Sequence, residues 1–233
     1  MNATTITNNL TTVRAQIVAA CSSAGRSADS VQLLAVSKTH PAEVVRAAYA
    51  AGQRGFGENR VQELLAKADS LTALRDLQWH LIGSLQTNKV RDLLRVPGLA
   101  LVHSLDRERL ADELQRELVR VGRSLDVLLQ VHATGEASKH GCLPEAVPAL
   151  LEHVRNHCPR LVVQGLMAMG PLEGDPAPVF AAVAALREQL RASSGLPLPV
   201  LSLGMSGDFA QAIAAGSTLV RVGSAVFGAR PVE

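Results

Sequence analysis

The sequence predicts an α/β fold, a (β/α)8 TIM-type barrel built as a single domain over residues 1–233. Eight short runs have the length of strands and are apolar at consecutive positions, as in parallel strands buried on both faces. Segments with helical periodicity separate these runs, so that each predicted strand is followed by a helix. No linker or low-complexity tract divides the chain. A doubly wound open sheet has the same alternation and is the structural alternative.

The elements follow from the apolar pattern in chain order. A helix over residues 4–24 precedes the barrel, and one of its faces carries four apolar residues: Leu10, Val13, Ile17 and Cys21. The predicted strands cover residues 31–37, 54–56, 78–82, 101–104, 125–131, 161–167, 200–203 and 219–222. Among the intervening helices, one over 41–51 has a proline in its first turn, and one over 106–121 has a leucine stripe.

Composition and charge exclude several classes of function. Basic and acidic residues number 23 and 21 and are interspersed, so the sequence has no electrostatic footprint for nucleic acid or an anionic membrane. The N-terminus lacks a signal-peptide pattern, and no apolar stretch is long enough to span a membrane. Three cysteines without a framework spacing indicate a reducing compartment. We therefore expect a cytoplasmic protein without disulfides. A monomer is predicted as well.

A lysine and an arginine near opposite ends of the chain predict one binding site. Lys38 follows the first strand, where apolar neighbours disfavour the ammonium and leave an amine suited to a Schiff base. Arg221 lies in the eighth strand, and Gly223 and Ser224 after it offer N–H groups and a hydroxyl to a phosphate. Barrel closure brings these residues together with residues 204–207 at the C-terminal face, where barrel active sites lie. Amine, cation and phosphate cradle together suggest pyridoxal phosphate.

Six blocks in order along nearly the whole chain resemble the pyridoxal phosphate homeostasis protein family, the single-domain relatives of the alanine racemase barrel. They are residues 35–39 (AVSKT), 55–59 (GFGEN), 79–89 (WHLIGSLQTNK), 165–169 (GLMAM), 203–206 (LGMS) and 220–228 (VRVGSAVFG). The chain departs from the commonest family pattern at Arg60, Ser84, Gln164 and Ser224. Ser224, in place of threonine, keeps the hydroxyl that a phosphate needs.

The resemblance implies a fold type III pyridoxal phosphate-binding barrel with an internal aldimine at Lys38. It also implies a phosphate near Ser206, Gly223 and Ser224, and Arg221 facing the pyridine nitrogen. The function it implies is intracellular homeostasis of pyridoxal 5′-phosphate, in which the protein supplies the cofactor to apo-enzymes and has no established turnover.

Further residues are expected near the cofactor because of their positions in the chain. Asn59 and His80, at the ends of the second and third strands, are suited to orient the ring hydroxyl or to pack on the ring face. Met205 belongs either to a soft pocket wall or to the core. Glu58 has an alternative role as part of a helix N-cap, and Lys139 is a candidate for the cofactor entrance.

Two enzyme classes compete with the carrier function. A small amino-acid racemase needs a second base on the opposite face of the substrate, yet the single tyrosine, Tyr49, lies late in an outer helix where a packing role is expected. A class I aldolase would also use a Schiff-base lysine, but Arg221 would have no ring nitrogen to meet. Because guanidinium can only donate, Arg221 leaves a bound pyridine unprotonated and a weak electron sink. These arguments favour a carrier without catalytic residues.

No metal is expected. His153 and His157 have the helical spacing of a ligand pair, but a metal site needs a third ligand and supporting hydrogen bonds that nothing nearby in the sequence supplies.

Overall fold

The computed structural model describes residues 2–134, 136 and 140–229. Eight parallel strands form a closed barrel in chain order. The first strand pairs with the last from Gln32 opposite Leu219 to Ala35 opposite Val222. This closure excludes the open doubly wound sheet, and the predicted (β/α)8 barrel is confirmed.

The bounds of the strands and helices agree closely with the pattern in the sequence. The strands are β1 (Gln32–Val36), β2 (Gly55–Glu58), β3 (Gln78–Leu81), β4 (Leu99–Leu105), β5 (Leu125–Gln130), β6 (Leu161–Met167), β7 (Val200–Ser202) and β8 (Leu219–Val222). The helices are α1 (Ala3–Ser23), α2 (Ala42–Ala50), α3 (Val61–Ser70), α4 (Val90–Leu93), α5 (Glu108–Val121), α6 (Val147–His157), α7 (Ala177–Ser194), α8 (Phe209–Ala214) and α9 (Ser224–Phe227). The second strand ends at Glu58 instead of residue 56, because Gly57 and Glu58 pair with β3.

Helix α1 completes the outer layer of the barrel. Its predicted apolar face is confirmed, since Leu10, Val13, Ile17 and Cys21 are all buried. The helix packs against α2, α8 and α9. Because α9 has only four residues, α1 occupies the outer position that a full helix after β8 would take.

The barrel has a large apolar core outside the strands and a mixed interior within them. The largest fully buried side chains of the outer core include Trp79, Phe56 and Phe180. The interior holds a small apolar cluster together with buried polar residues on four strands: Leu101, Leu128, Met167, His80, His103, Ser202 and Arg221. In the part of the chain that the structure describes, no helix combines the length and the apolarity needed to cross a membrane.

Candidate functional site

A cavity of about 470 Å³ opens at the C-terminal ends of the strands. Seven of the eight residues predicted for the site line it, and they come from four strand ends: Lys38, Asn59, Met205, Ser206, Arg221, Gly223 and Ser224. His80 is not among the lining residues. The cavity therefore joins the two ends of the chain, as barrel closure requires.

Lys38 stands where β1 leaves the barrel. The N–H of Ser37 donates to the carbonyl of Gly57 at 3.0 Å, which extends the parallel ladder to the residue before Lys38. Thr39 then takes a left-handed conformation with φ 67°, and the N–H of His40 returns to the carbonyl of Ser37 at 3.1 Å. This turn leaves the Lys38 side chain half-buried at the cavity wall.

A buried ionic cluster lies beside Lys38, formed by Glu58, Glu63 and Lys67. The Lys67 ammonium donates to Glu58 Oε1 at 2.7 Å, Glu63 Oε1 at 2.8 Å and the Ser37 carbonyl at 2.8 Å. Ser37 Oγ also donates to Glu58 Oε1 at 2.6 Å. Burial raises the pKa of Glu58, although Lys67 and Ser37 oppose this effect. The cluster fixes the strand end that carries Lys38.

This cluster corrects the N-cap interpretation of Glu58. The N-cap residue of α3 is Arg60, which makes no side-chain capping bond, and Glu58 is the last residue of β2. Glu63, in the first turn of α3, instead accepts the N–H of Thr39 at 2.6 Å. The two carboxylates therefore hold the residues on either side of Lys38.

Arg221 is the buried cation at the base of the cavity. Its Nη1 donates to the carbonyl and to the hydroxyl of Ser202, both at 2.7 Å, and its Nη2 donates to the Ala168 carbonyl at 2.9 Å. The Nε–H and one Nη2–H have no acceptor among the described residues, and the side chain lines the cavity. Burial lowers the pKa of Arg221 to about 10, with Asp208 opposing, so the guanidinium is charged at neutral pH.

Small and hydroxylated residues form the wall between β7 and β8. Gly204 has φ +89°, and a Cβ at this position would lie 2.8 Å from Phe209 Cα, so only glycine lets the chain turn here towards Ser206. The Ala225 N–H lies 3.5 Å from Ser206 Oγ. Ser224 is exposed and begins α9. Ser206, Gly223 and Ser224 therefore line the same side of the cavity, between β7 and β8.

His80 lies inside the barrel, away from the position predicted from the sequence. It pairs with Gly57, one register position deeper than the end of β3. Its Nδ1 is 3.0 Å from His103 Nε2, and burial lowers the pKa of His80 to about 4. Asn59 reaches the cavity and is exposed. A Cβ on Gly83 would lie 2.1 Å from the Asn59 carbonyl oxygen, which makes glycine necessary in the loop after β3.

A third ligand type does lie near His153, contrary to the expectation from the sequence. Ligand atoms of Asp112, His153 and Cys158 all lie within 4.8 Å of one another. His153 Nε2 is 2.7 Å from Asp112 Oδ1, and burial together with Asp112 raises the pKa of the Cys158 thiol to about 11. A hydrogen bond between two helices accounts for the first contact, and the thiol is protonated at neutral pH. The argument from the sequence that nothing near His153 supplies a third ligand is therefore wrong.

The loop after β5 is only partly described. His140 lines the cavity, and its carbonyl accepts from Gln130 Nε2 at 2.7 Å. The candidate entrance residue Lys139 lies outside the described residues.

Sequence reasoning missed the residues that support Lys38 and Arg221. Lys67 is buried on a helix, and Ser202 and His103 are polar residues inside apolar strands. A polar residue in a strand buried on both faces was a usable signal, because such a residue must find a partner within the barrel. The partners themselves become visible only in the folded chain.

Comparisons with known proteins agree with this geometry. A family model described as the alanine racemase N-terminal domain matches residues 8–231. A pyridoxal phosphate homeostasis protein of Pseudomonas aeruginosa is 47% identical over 226 residues, which cover 97% of this chain and 96% of that protein. A Homo sapiens protein with the same name is 43% identical, covering 85% and 76%. The solved structure of PipY from Synechococcus elongatus with PLP bound has a TM-score of 0.84 and 39% identity, covering 96% of this chain and all of that one.

Proposed function

Since the chain belongs to the pyridoxal phosphate homeostasis protein family, we propose that it binds pyridoxal 5′-phosphate in this cavity and supplies it to apo-enzymes. The observation that carries the proposal is that the Lys38 amine and the Arg221 guanidinium line one cavity. A phosphorylated pyridine aldehyde presents an electrophile, a ring nitrogen and an anion, and the lining residues are complementary to each of them.

The residues fit this group in the following way. The Lys38 amine would condense with the aldehyde, forming a carbon–nitrogen double bond and releasing water. Ser206, Gly223 and Ser224 would hold the phosphate through hydroxyls and N–H groups. Met205 and Asn59 would border the ring from the exposed side of the cavity. The proposed set leaves out His80, which does not line this cavity.

Arg221 favours a site that binds the cofactor without catalysing a reaction with it. The bound group supplies electron withdrawal that is strong only when its ring nitrogen is protonated. The guanidinium keeps its proton at neutral pH, because its pKa is about 10, and so does not transfer that proton to the ring nitrogen. Arg221 would donate a hydrogen bond to the nitrogen and leave it unprotonated. An unprotonated ring would stabilise a carbanion on a bound amino acid only weakly.

A racemase would also need a second proton donor opposite Lys38. The only tyrosine of the sequence, Tyr49, lies on α2, where its hydroxyl donates to Asp76 and the Arg54 guanidinium stacks at 4.0 Å from the ring centre. It is not among the cavity-lining residues of the described chain. The proposal is therefore a carrier without turnover.

Delivery to apo-enzymes requires that the cofactor can leave the cavity. The exposed residues at the rim, Asn59, Ser84, Met205 and Ser224, place the site at the surface of the barrel rather than in its interior. We propose that this open rim lets the cofactor pass to other proteins in the cytoplasm, which the three free cysteines favour as the compartment.

The central experiment is to map the cofactor bond. Purified protein loaded with pyridoxal phosphate should show a long-wavelength absorption band that borohydride removes, and mass mapping should place a pyridoxyl group on Lys38. Lys38→Ala should lose the band while Lys89→Ala, a lysine outside the cavity, keeps it. A band that persists unchanged in Lys38→Ala would refute the assignment.

A second experiment separates the carrier from the racemase. The loaded protein should restore activity to an apo-enzyme that needs the cofactor, without exchanging the α-protons of alanine or serine with deuterated water faster than free cofactor does. Rapid exchange that Lys38→Ala abolishes would make the protein an enzyme.

A further inference from the structure

A continuous chain of buried polar side chains runs from Arg221 down the inside of the barrel. Arg221 Nη1 donates to Ser202 Oγ at 2.7 Å, and Ser202 Oγ lies 3.1 Å from His103 Nδ1. His103 Nε2 then lies 3.0 Å from His80 Nδ1. The four residues are on four different strands, and none is more than 7% exposed. The two middle members, Ser202 and His103, are fully buried, so this polar chain crosses the barrel through its dry interior.

The chemistry of the donors fixes one direction for this chain. Guanidinium only donates, so Ser202 Oγ accepts from Arg221, and its own hydrogen is left for His103 Nδ1. His103 must then carry its hydrogen on Nε2 and donate it to His80 Nδ1, which leaves His80 with its hydrogen on Nε2 as well. The opposite tautomer of His103 would leave the Ser202 hydrogen with no acceptor among the described residues, at a cost in stability.

Both histidines are neutral, as this direction requires. Burial lowers the pKa of His80 to about 4, and burial lowers the pKa of His103 well below its usual value, with further contributions from His80 and Arg221. A proton on His80 Nδ1 would face the Nε2–H of His103 and break the chain.

The lower end of the chain reaches the N-terminal mouth of the barrel. His80 lines a second cavity of about 270 Å³, which is formed by residues at the starts of the strands, such as Gln32, Gly55 and Leu219. Arg221 lines the upper cavity. The polar chain thus connects the base of the proposed cofactor site with the opposite end of the barrel.

Apolar residues would fill this interior at lower cost. The neighbouring layer is formed by Leu101, Leu128 and Met167, and burying polar groups is unfavourable unless every hydrogen bond is made. The polar chain instead fixes the orientation of the Arg221 side chain. Ser202 takes two bonds from one nitrogen of Arg221, which fixes the plane of the guanidinium and leaves the Nε–H for the cavity.

We propose that Ser202, His103 and His80 are positioning residues that hold the Arg221 guanidinium in a single orientation beneath the cofactor ring. The tautomers follow from the unloaded barrel alone, and only the effect on the ring rests on the proposed function. Ser202 holds Arg221 directly, by accepting from its Nη1. His103 and His80 act indirectly, because His103 Nδ1 accepts the hydroxyl hydrogen of Ser202 and His80 fixes the tautomer of His103.

The first test uses protein without cofactor. Nitrogen-15 NMR of the histidine side chains should show His103 and His80 as neutral rings protonated at Nε2, with Nδ1 accepting a hydrogen bond in each. In Ser202→Ala, the His103 Nδ1 resonance should move to the value of a nitrogen without a hydrogen bond. A wild-type His103 protonated at Nδ1 would overturn the proposal.

The second test measures what the orientation does to a bound ring. Ser202→Ala should shift the absorption maximum of the loaded protein and weaken retention of pyridoxal phosphate by about tenfold or more. Ser104→Ala is the matched control, because Ser104 is also buried on a barrel strand and its hydroxyl has no hydrogen-bond partner among the described residues. His103→Asn keeps an acceptor for Ser202 and should retain the wild-type spectrum, whereas His103→Leu should not.

The outcomes separate the two proposals. If the wild type binds no pyridoxal phosphate but shows the expected tautomers, the proposed function is refuted, while the proposed direction of the hydrogen bonds from Arg221 to His80 is confirmed. If cofactor binds but Ser202→Ala and Ser104→Ala give the same spectrum and retention, the positioning role is refuted. If Ser202→Ala does not fold, the comparison of His103→Leu with His103→Asn decides instead, and the same spectrum and retention in both variants would refute the positioning role.

Discussion

Replacing Lys67 by methionine tests how the barrel holds the strand end that carries Lys38. Methionine keeps much of the apolar stem and removes the ammonium, which makes three hydrogen bonds with distances from 2.7 to 2.8 Å. Glu63 is 25% exposed and can regain water, but the Glu58 side chain is fully buried and cannot. The substitution therefore leaves one buried carboxylate without its counter-charge.

The expected cost follows from this burial. Removing one partner of a buried ion pair costs about 3–5 kcal/mol, because the remaining charge has neither water nor a partner. In a chain of this size that corresponds to a fall in the melting temperature on the order of 10 °C. Lys89→Met is the matched control. Among the described residues Lys67 is the lysine that forms ion pairs and Lys89 forms none, so this variant should stay within about 0.5 kcal/mol of the wild type.

The stability cost of Lys67→Met should depend on pH, because Glu58 changes its protonation. Burial raises the pKa of Glu58, so the folded protein binds more protons than the unfolded chain above the usual pKa of the carboxyl, and stability falls as pH rises. Loss of Lys67 raises this pKa further. The cost of Lys67→Met should therefore be largest at neutral pH and shrink as the pH falls, because the raised pKa lets the buried carboxyl take up a proton.

Urea unfolding at several pH values measures these free energies directly. Adding Glu58→Gln to Lys67→Met should restore part of the lost stability, because the double variant buries no unpaired charge. A cost below about 1 kcal/mol, or a cost independent of pH, would show that the Glu58, Glu63 and Lys67 cluster does not behave as a buried ion pair.

Two further predictions concern the phosphate wall and the buried histidines. Ser206→Ala and Ser224→Ala should each weaken retention of pyridoxal phosphate by about 1.5–3 kcal/mol and that of unphosphorylated pyridoxal much less, as equilibrium dialysis can show; equal losses would place the hydroxyls elsewhere. His80 has a pKa of about 4 in the folded protein against about 6.5 normally, so the unfolded chain binds more protons between these values. The free energy of unfolding should therefore fall on acidification through that range, by up to about 3 kcal/mol for this group, and fall less in His80→Gln; equal slopes would contradict the burial of a neutral ring.

Much of the fold and the site was predictable because the signals are local. Continuous apolar runs separated by amphipathic helices identify all eight strands, and the face of α1 follows from its periodicity. Lys38, Ser206 and Ser224 follow strand ends, and Arg221 lies one residue before the end of β8. In a parallel barrel these strand ends meet at one face. Their meeting in one cavity therefore depends on topology more than on detailed packing.

The position of His80 depends on depth along a strand, which the sequence does not encode locally. A side chain near the end of a barrel strand can serve the upper cavity or the interior, and register with the neighbouring strand decides between them. Because His80 pairs with Gly57, below Glu58 and Asn59, its ring meets His103 instead of the cavity.

The sequence by itself determined the barrel, the order of its elements and the residues at the mouth, because periodicity and strand order are properties of the chain. Only the tertiary structure decided how Lys38 and Arg221 are held. Lys67 reaches Ser37 across 30 residues, and Ser202 reaches His103 across 99. Such buried polar partners are chosen by which strands and helices come together in space, since each must find its hydrogen bonds inside the fold.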